Sequence, residues 1–118
     1  MEIDFDKLNG LAPAVIQDAS TEELLMVGFM NREAWGATLR SGFVTFYSRT
    51  RQTLWTKGET SGNRLQVVAA WTDCDHDTIL LRVRVLGKGK VCHTGSRSCF
   101  TQELKLDAAA APEMETRP

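Results

Sequence analysis

Two runs of alternating residues, Leu65 to Trp71 and Ile79 to Val85, constrain this chain more than any other feature. Leu65, Val67, Ala69 and Trp71 recur at period two, and Ile79, Leu81, Val83 and Val85 do the same opposite Arg82 and Arg84. That period belongs to a half-buried strand, because successive side chains leave a pleated backbone on opposite sides. The acidic stretch Asp73–Asp77 separates the two runs, so they read as a β-hairpin. Ala14–Gln17 and Leu24–Met30 read as two further strands about a polar turn. Gly28 and the apolar continuity of the second run weigh against the helix that Glu22–Met26 could begin. Asn31 is placed to cap a short helix over Arg32–Arg40, and Gly42 to stop it. Phe43–Ser48, rich in β-branched and aromatic residues, reads as strand. The expected fold is mainly β (α+β): a small antiparallel sheet or partly open barrel with one or two short helices. It forms one domain over residues 1–106, and 107–118 has little to bury and reads as a flexible tail.

Charge and hydropathy exclude some functions. Fourteen Lys and Arg against fifteen Asp and Glu give a net charge of −1, without the basic excess of a nucleic-acid-binding domain. No apolar run approaches the ~20 residues of a membrane helix. Met1–Asn9 lacks the order of a secretory signal. A cytoplasmic protein is expected, free of membrane and nucleic acid. A small phosphorylated ligand held by a local cluster remains open.

Three cysteines, Cys74, Cys92 and Cys99, cannot pair fully within one chain, and cytosolic thiols stay reduced. Core packing and metal binding remain. In Asp73-Cys74-Asp75-His76-Asp77, an extended backbone would send the three aspartates to one face and Cys74 and His76 to the other. Carboxylates suit a hard cation such as Mg²⁺ and a thiolate suits Zn²⁺, while a solvated turn is the plain alternative. Cys92 and Cys99 frame a loop in which Gly95 lets the chain return on itself. With Cys74 they make three thiolates and leave one tetrahedral position open for water, as in catalytic zinc sites. A closed site with His93 as fourth ligand, or a set of reduced core cysteines, are the alternatives. Arg49, Arg51, Lys57, Ser61 and Asn63 could cradle phosphate, and Arg97 could assist from the cysteine loop. A charged strand edge followed by a glycine turn explains the same residues without a ligand.

Four blocks now stand in order: Phe46–Arg51, Leu54–Asn63, Asp73–Asp77 and Cys92–Phe100. Together with Leu11–Asp18 and Val27–Asn31, they resemble the phosphoribosyl-AMP cyclohydrolases over about residues 8 to 106. Lys90-Val91 stands where many relatives carry Pro-Ala, and Tyr47 where Trp is frequent; neither position supplies a ligand. The resemblance implies hydrolysis of the N1–C6 bond of 1-(5-phosphoribosyl)-AMP in histidine biosynthesis. It implies zinc on Cys74, Cys92 and Cys99, magnesium on Asp73, Asp75 and Asp77, and an intertwined homodimer that shares the zinc site. Zinc-bound hydroxide is the expected nucleophile at C6, with His93 as proton carrier and His76 in reserve. Residues after Leu106 are too few for the fused pyrophosphatase domain of some relatives, so a stand-alone form is expected. A zinc-stabilised binding module is the rival reading. A zinc deaminase ranks lower, since neither His-x-Glu nor Pro-Cys-x-x-Cys occurs.

Overall fold

A computed structural model describes residues 2–107 and 109. The expected tail, 107–118, lies outside the described residues except for Asp107 and Ala109. A 3-10 turn (Asp6–Leu8) leads into strands β1 (Ala12–Asp18) and β2 (Leu24–Met30), then helix α1 (Arg32–Ser41). Strands β3 (Thr45–Ser48), β4 (Thr53–Thr56), β5 (Leu65–Thr72) and β6 (Ile79–Val85) follow. Among the described residues no helix is long and apolar enough to cross a membrane.

The main sheet has the order β2-β1-β6-β5. β1 pairs antiparallel with β2, and β5 with β6, but β1 and β6 run parallel. The expectation of an antiparallel sheet or partly open barrel is therefore corrected. The sheet is mixed, and β3 and β4 form a separate two-stranded sheet, so among the described residues no barrel closes. Alternation looks the same whichever way a neighbouring strand runs, and this is why it did not report the parallel pair. β4 lies within the stretch read as a phosphate cradle or as a charged strand edge followed by a glycine turn.

The inner face of the main sheet carries Ala12, Ala14, Ile16, Met26, Met30, Ile79, Leu81 and Val83, all buried. Val44, Phe46 and Ala34 join them, with Trp35 and Trp55 packed at the margin. Gly28 lies on this face under Phe46: a Cβ there would sit 2.5 Å from two ring carbons. Phe46 is itself held against Trp55, ring centroids 5.1 Å apart. Helix α1 begins and ends where its caps demand. Asn31 Oδ1 accepts from the Ala34 amide at 2.8 Å, and Gly42, at φ 80°, returns its N–H to the Thr38 carbonyl.

One correction concerns β5. Val67 pairs with Val83 and Ala69 with Arg82, so Val68 is an extra residue in a bulge. Leu65 and Val67 face inward, but beyond the bulge Ala69 and Trp71 turn outward, and Trp71 is 51% exposed. A single inserted residue reverses the phase of everything after it. The outward sides of the four strands thus align Val27, Val15, Leu80 and Trp71 in one apolar row, with Phe29 beside Val27 along β2.

Candidate metal centre

The β5–β6 connection is not extended but curled. Asp73 Oδ1 accepts the amides of Asp77 (3.0 Å) and Thr78 (3.1 Å), and His76 adopts φ 62° inside the turn. The curl brings Asp73, Asp75 and Asp77 together, one oxygen of each within 4.8 Å of the others. Desolvation would raise the Asp73 carboxyl, but the two amides outweigh it and hold it at about 2. Desolvation and hydrogen bonds shared with Asp73 and Asp75, reinforced by their charges, push Asp77 up. Three crowded carboxylates are the arrangement that a hard divalent cation relieves. Lys7 supplies part of that compensation: its Nζ lies 3.5 Å from the Asp75 carboxylate and 3.7 Å from that of Asp77.

The cysteine loop is a second, softer donor set. The Cys92 amide donates to the Ser96 carbonyl at 3.0 Å, and Gly95, at φ 95°, returns its N–H to the Cys92 carbonyl at 2.9 Å. Thr94 Oγ1 donates to Cys92 Sγ at 3.1 Å. That hydroxyl and the Thr94 amide, helped by Ser96 and the Cys99 thiol, lower the Cys92 thiol to about 6 against desolvation. Desolvation and the facing Cys92 raise Cys99, while Lys57 acts the other way. Cys92 and Cys99 therefore face one another across the loop as a pair of soft donors with unequal acidity. Cys74 is exposed at the far end of β5. Among the described residues the aspartates are the only close trio of ligands, so Cys74 does not join Cys92 and Cys99 of its own chain.

The remaining candidates divide. His93 is exposed beside Cys92, whereas His76 has its Nδ1 enclosed without a hydrogen-bond partner among the described residues. Arg49 stacks on Phe29, 4.1 Å from the ring centroid, and lines a cavity of about 480 Å³ with Asn9, Asn31 and Tyr47. Lys57 lies 5.7 Å from the Trp55 ring, and Arg51 is exposed. Ser61 Oγ accepts the Asn63 amide at 3.2 Å, and Asn63 Oδ1 accepts the Lys88 amide at 2.7 Å, joining two turns. Arg97 is engaged elsewhere: Nη2 donates to Asp18 Oδ2, and Nε to Glu23 Oε1 at 3.0 Å.

The family model for phosphoribosyl-AMP cyclohydrolase matches residues 26–101, a span that contains both donor sets. The chain belongs to the phosphoribosyl-AMP cyclohydrolase family. It is 57% identical over 107 residues to the phosphoribosyl-AMP cyclohydrolase of Desulfatibacillum aliphaticivorans, covering 91% of this chain and 85% of that protein. It is 54% identical over 103 residues to the histidine biosynthesis bifunctional protein HisIE of Bacteroides thetaiotaomicron, covering 87% of this chain and 50% of that one. The bifunctional protein of Staphylococcus aureus strain COL is 52% identical over 103 residues, 87% of this chain and 47% of its own. The chain thus spans about half the length of the bifunctional relatives it matches.

Three residues of this cyclohydrolase-family chain escaped the sequence reading: Lys7, Asp18 and Glu23. Asp18 had a signal, because it continues the phase of Ala12, Ala14 and Ile16 and so points a carboxylate inward. Burial alone would raise that carboxyl; hydrogen bonds from Ser20 and Thr21, with the Arg97 charge, outweigh it and hold Asp18 at about 2. A depressed carboxyl stabilises the fold above its unfolded value of 3.8, and the benefit is lost as pH falls towards 2. The stability gap between the parent protein and Asp18→Asn is therefore expected to shrink on acidification, by on the order of 1–2 kcal/mol. Urea midpoints on either side of that window check it, and a gap independent of pH refutes it.

Proposed function

We propose that this chain hydrolyses 1-(5-phosphoribosyl)-AMP at the N1–C6 bond, giving the formimino-aminoimidazole carboxamide ribonucleotide of histidine biosynthesis. The observation that carries this reading is the presence, in a chain of this family, of a soft and a hard donor set. One is the Cys92–Cys99 thiol pair, the other the converging Asp73, Asp75 and Asp77.

The donor chemistry fits zinc on Cys92 and Cys99 and magnesium on the three aspartates. Zinc, when bound, supplies a water acidic enough to act as nucleophile near neutral pH. The third thiolate, Cys74, comes from a second subunit, and two features support that homodimer. Cys74 stands apart from the other cysteines of its own chain. The outward row of Val27 and Trp71, 46% and 51% exposed, is the kind of apolar face that marks an interface.

The adenine ring carries positive character because N1 is alkylated, which makes C6 electrophilic. His93, exposed at the cysteine loop, is the first candidate to carry the proton that ring opening must relocate, with His76 as the second. Magnesium on the aspartates would sit near a phosphate or ribose hydroxyl. Arg49 has no carboxylate partner among the described residues and borders an open cavity, so it is the favoured seat for a phosphate. Arg51 and Lys57 add positive charge nearby in sequence. Arg49→Ala is expected to raise KM about ten- to a hundredfold with little change in kcat. An unchanged KM removes it from that role.

The deciding experiment is spectrophotometric turnover of phosphoribosyl-AMP, with and without a zinc chelator. Product formation that stops on chelation and returns with zinc supports the reading. No product from folded, metal-supplied protein would leave a zinc-stabilised binding module instead. A structural site should also unfold when stripped, since its binding energy is folding energy.

A further inference from the structure

The cysteine loop is fastened to the β1–β2 connection at several points. β2 has an extra residue, Leu25, where Ile16 pairs with Met26 but Gln17 pairs with Leu24. A bulged residue is left out of the ladder, and its carbonyl is free. The Cys99 amide takes that carbonyl at 2.8 Å, and Ser98 Oγ donates to the Leu24 carbonyl at 2.8 Å. These bonds fix the Cys99 end only. The middle of the loop is held by Arg97, whose guanidinium spans Asp18 and Glu23.

The anchor under Arg97 is rigid. Asp18 is buried, and its other oxygen accepts the Ser20 amide (2.8 Å), the Ser20 hydroxyl (2.7 Å) and the Thr21 amide (3.0 Å). Next to it, the Ala19 amide donates to the Val83 carbonyl at 2.8 Å, and Arg82 Nη2 donates to the Ala19 carbonyl at 2.9 Å. Arg97 thus spends its Nε–H and one Nη2–H on two carboxylates, which balance its charge and fix the plane of the guanidinium, and its other three N–H groups are left unbonded.

We propose that Arg97 is a positioning residue that clamps the Cys92–Cys99 loop onto Asp18 and Glu23, keeping the two thiols in place for zinc, and that it does not contact substrate. The proposal rests on the reading of those thiols as zinc ligands. Partners of this kind, one step removed from a metal, change its retention more than they change substrate affinity.

The test is zinc transfer from loaded protein to a chromophoric chelator, alongside steady-state kinetics. Arg97→Ala is expected to release zinc about ten- to a hundredfold faster. Glu23→Gln, which leaves Arg97 in place, is expected to do so by a smaller factor, and KM should stay within about twofold in both. Because Asp18 keeps its three bonds from Ser20 and Thr21, Arg97→Ala is expected to fold. Glu23→Gln alters an exposed side chain and provides the milder check. Unchanged zinc release overturns the clamp, and so does a raised KM confined to Arg97→Ala. Amide exchange at Cys92, whose N–H is held by the Ser96 carbonyl inside the loop, separates the two ideas in metal-free protein. Parent protein that binds no zinc overturns the zinc reading, whereas unchanged Cys92 exchange in Arg97→Ala overturns the clamp.

Discussion

Cys92→Ala is expected to remove zinc and turnover together, with activity falling by about a thousandfold or more, since the water loses the ion that acidifies it. The fold should survive, because Cys92 is only partly buried and contributes nothing to the core cluster. Its Sγ accepts from the Thr94 hydroxyl, on the same loop. Losing it therefore loosens a turn and leaves the two sheets alone. Metal content by mass spectrometry, turnover and thermal melting, taken on one preparation, decide the matter. Full turnover from a folded, zinc-free Cys92→Ala protein would sink the mechanism, and a collapsed melting curve would make the site structural.

The largest effect on stability is expected at Gly28. An alanine methyl there meets Phe46 at 2.5 Å, inside any real carbon–carbon contact, and the ring is backed by Trp55. Phe46 is only 1% exposed, so it has no solvent to retreat into. Overpacking of this kind costs about 1–3 kcal/mol, or a Tm lowered by roughly 5 to 15 °C in a domain of this size. Phe46→Leu should recover part of the loss when combined with Gly28→Ala, while costing stability alone. An unchanged Tm would mean that the ring can slide aside.

Features encoded locally were legible. Leu24–Met30 is the strand expected, Asn31 and Gly42 bound the helix within one residue, and Ile79–Val85 has the inward phase that alternation predicts. What depends on distant chain was not. The parallel β1–β6 pair leaves no mark on either strand's own pattern, and the Val68 bulge shows only against a partner. At the site, the donor types could be read directly, but their grouping could not. The aspartates meet because the turn curls, which an extended backbone would not require. Arg97 and Asn63 have the residue types of ligand contacts, yet in this fold they bond to carboxylates and to a backbone amide. A polar side chain's use depends on what the fold sets beside it, and sequence spacing does not carry that.

The central place of β1 also governs how the chain must come together in time. Ala14 finds one neighbour in the adjacent hairpin, at Gly28, but its other neighbour, Ile79, arrives 65 positions later. During synthesis the first hairpin is complete while one edge of β1 is still open, and an open apolar edge is a template for another unfinished chain. Closing so distant a pair is also intrinsically slow. A chain cut short before Ile79 leaves that edge of β1 unpaired and is expected to aggregate more readily than the whole.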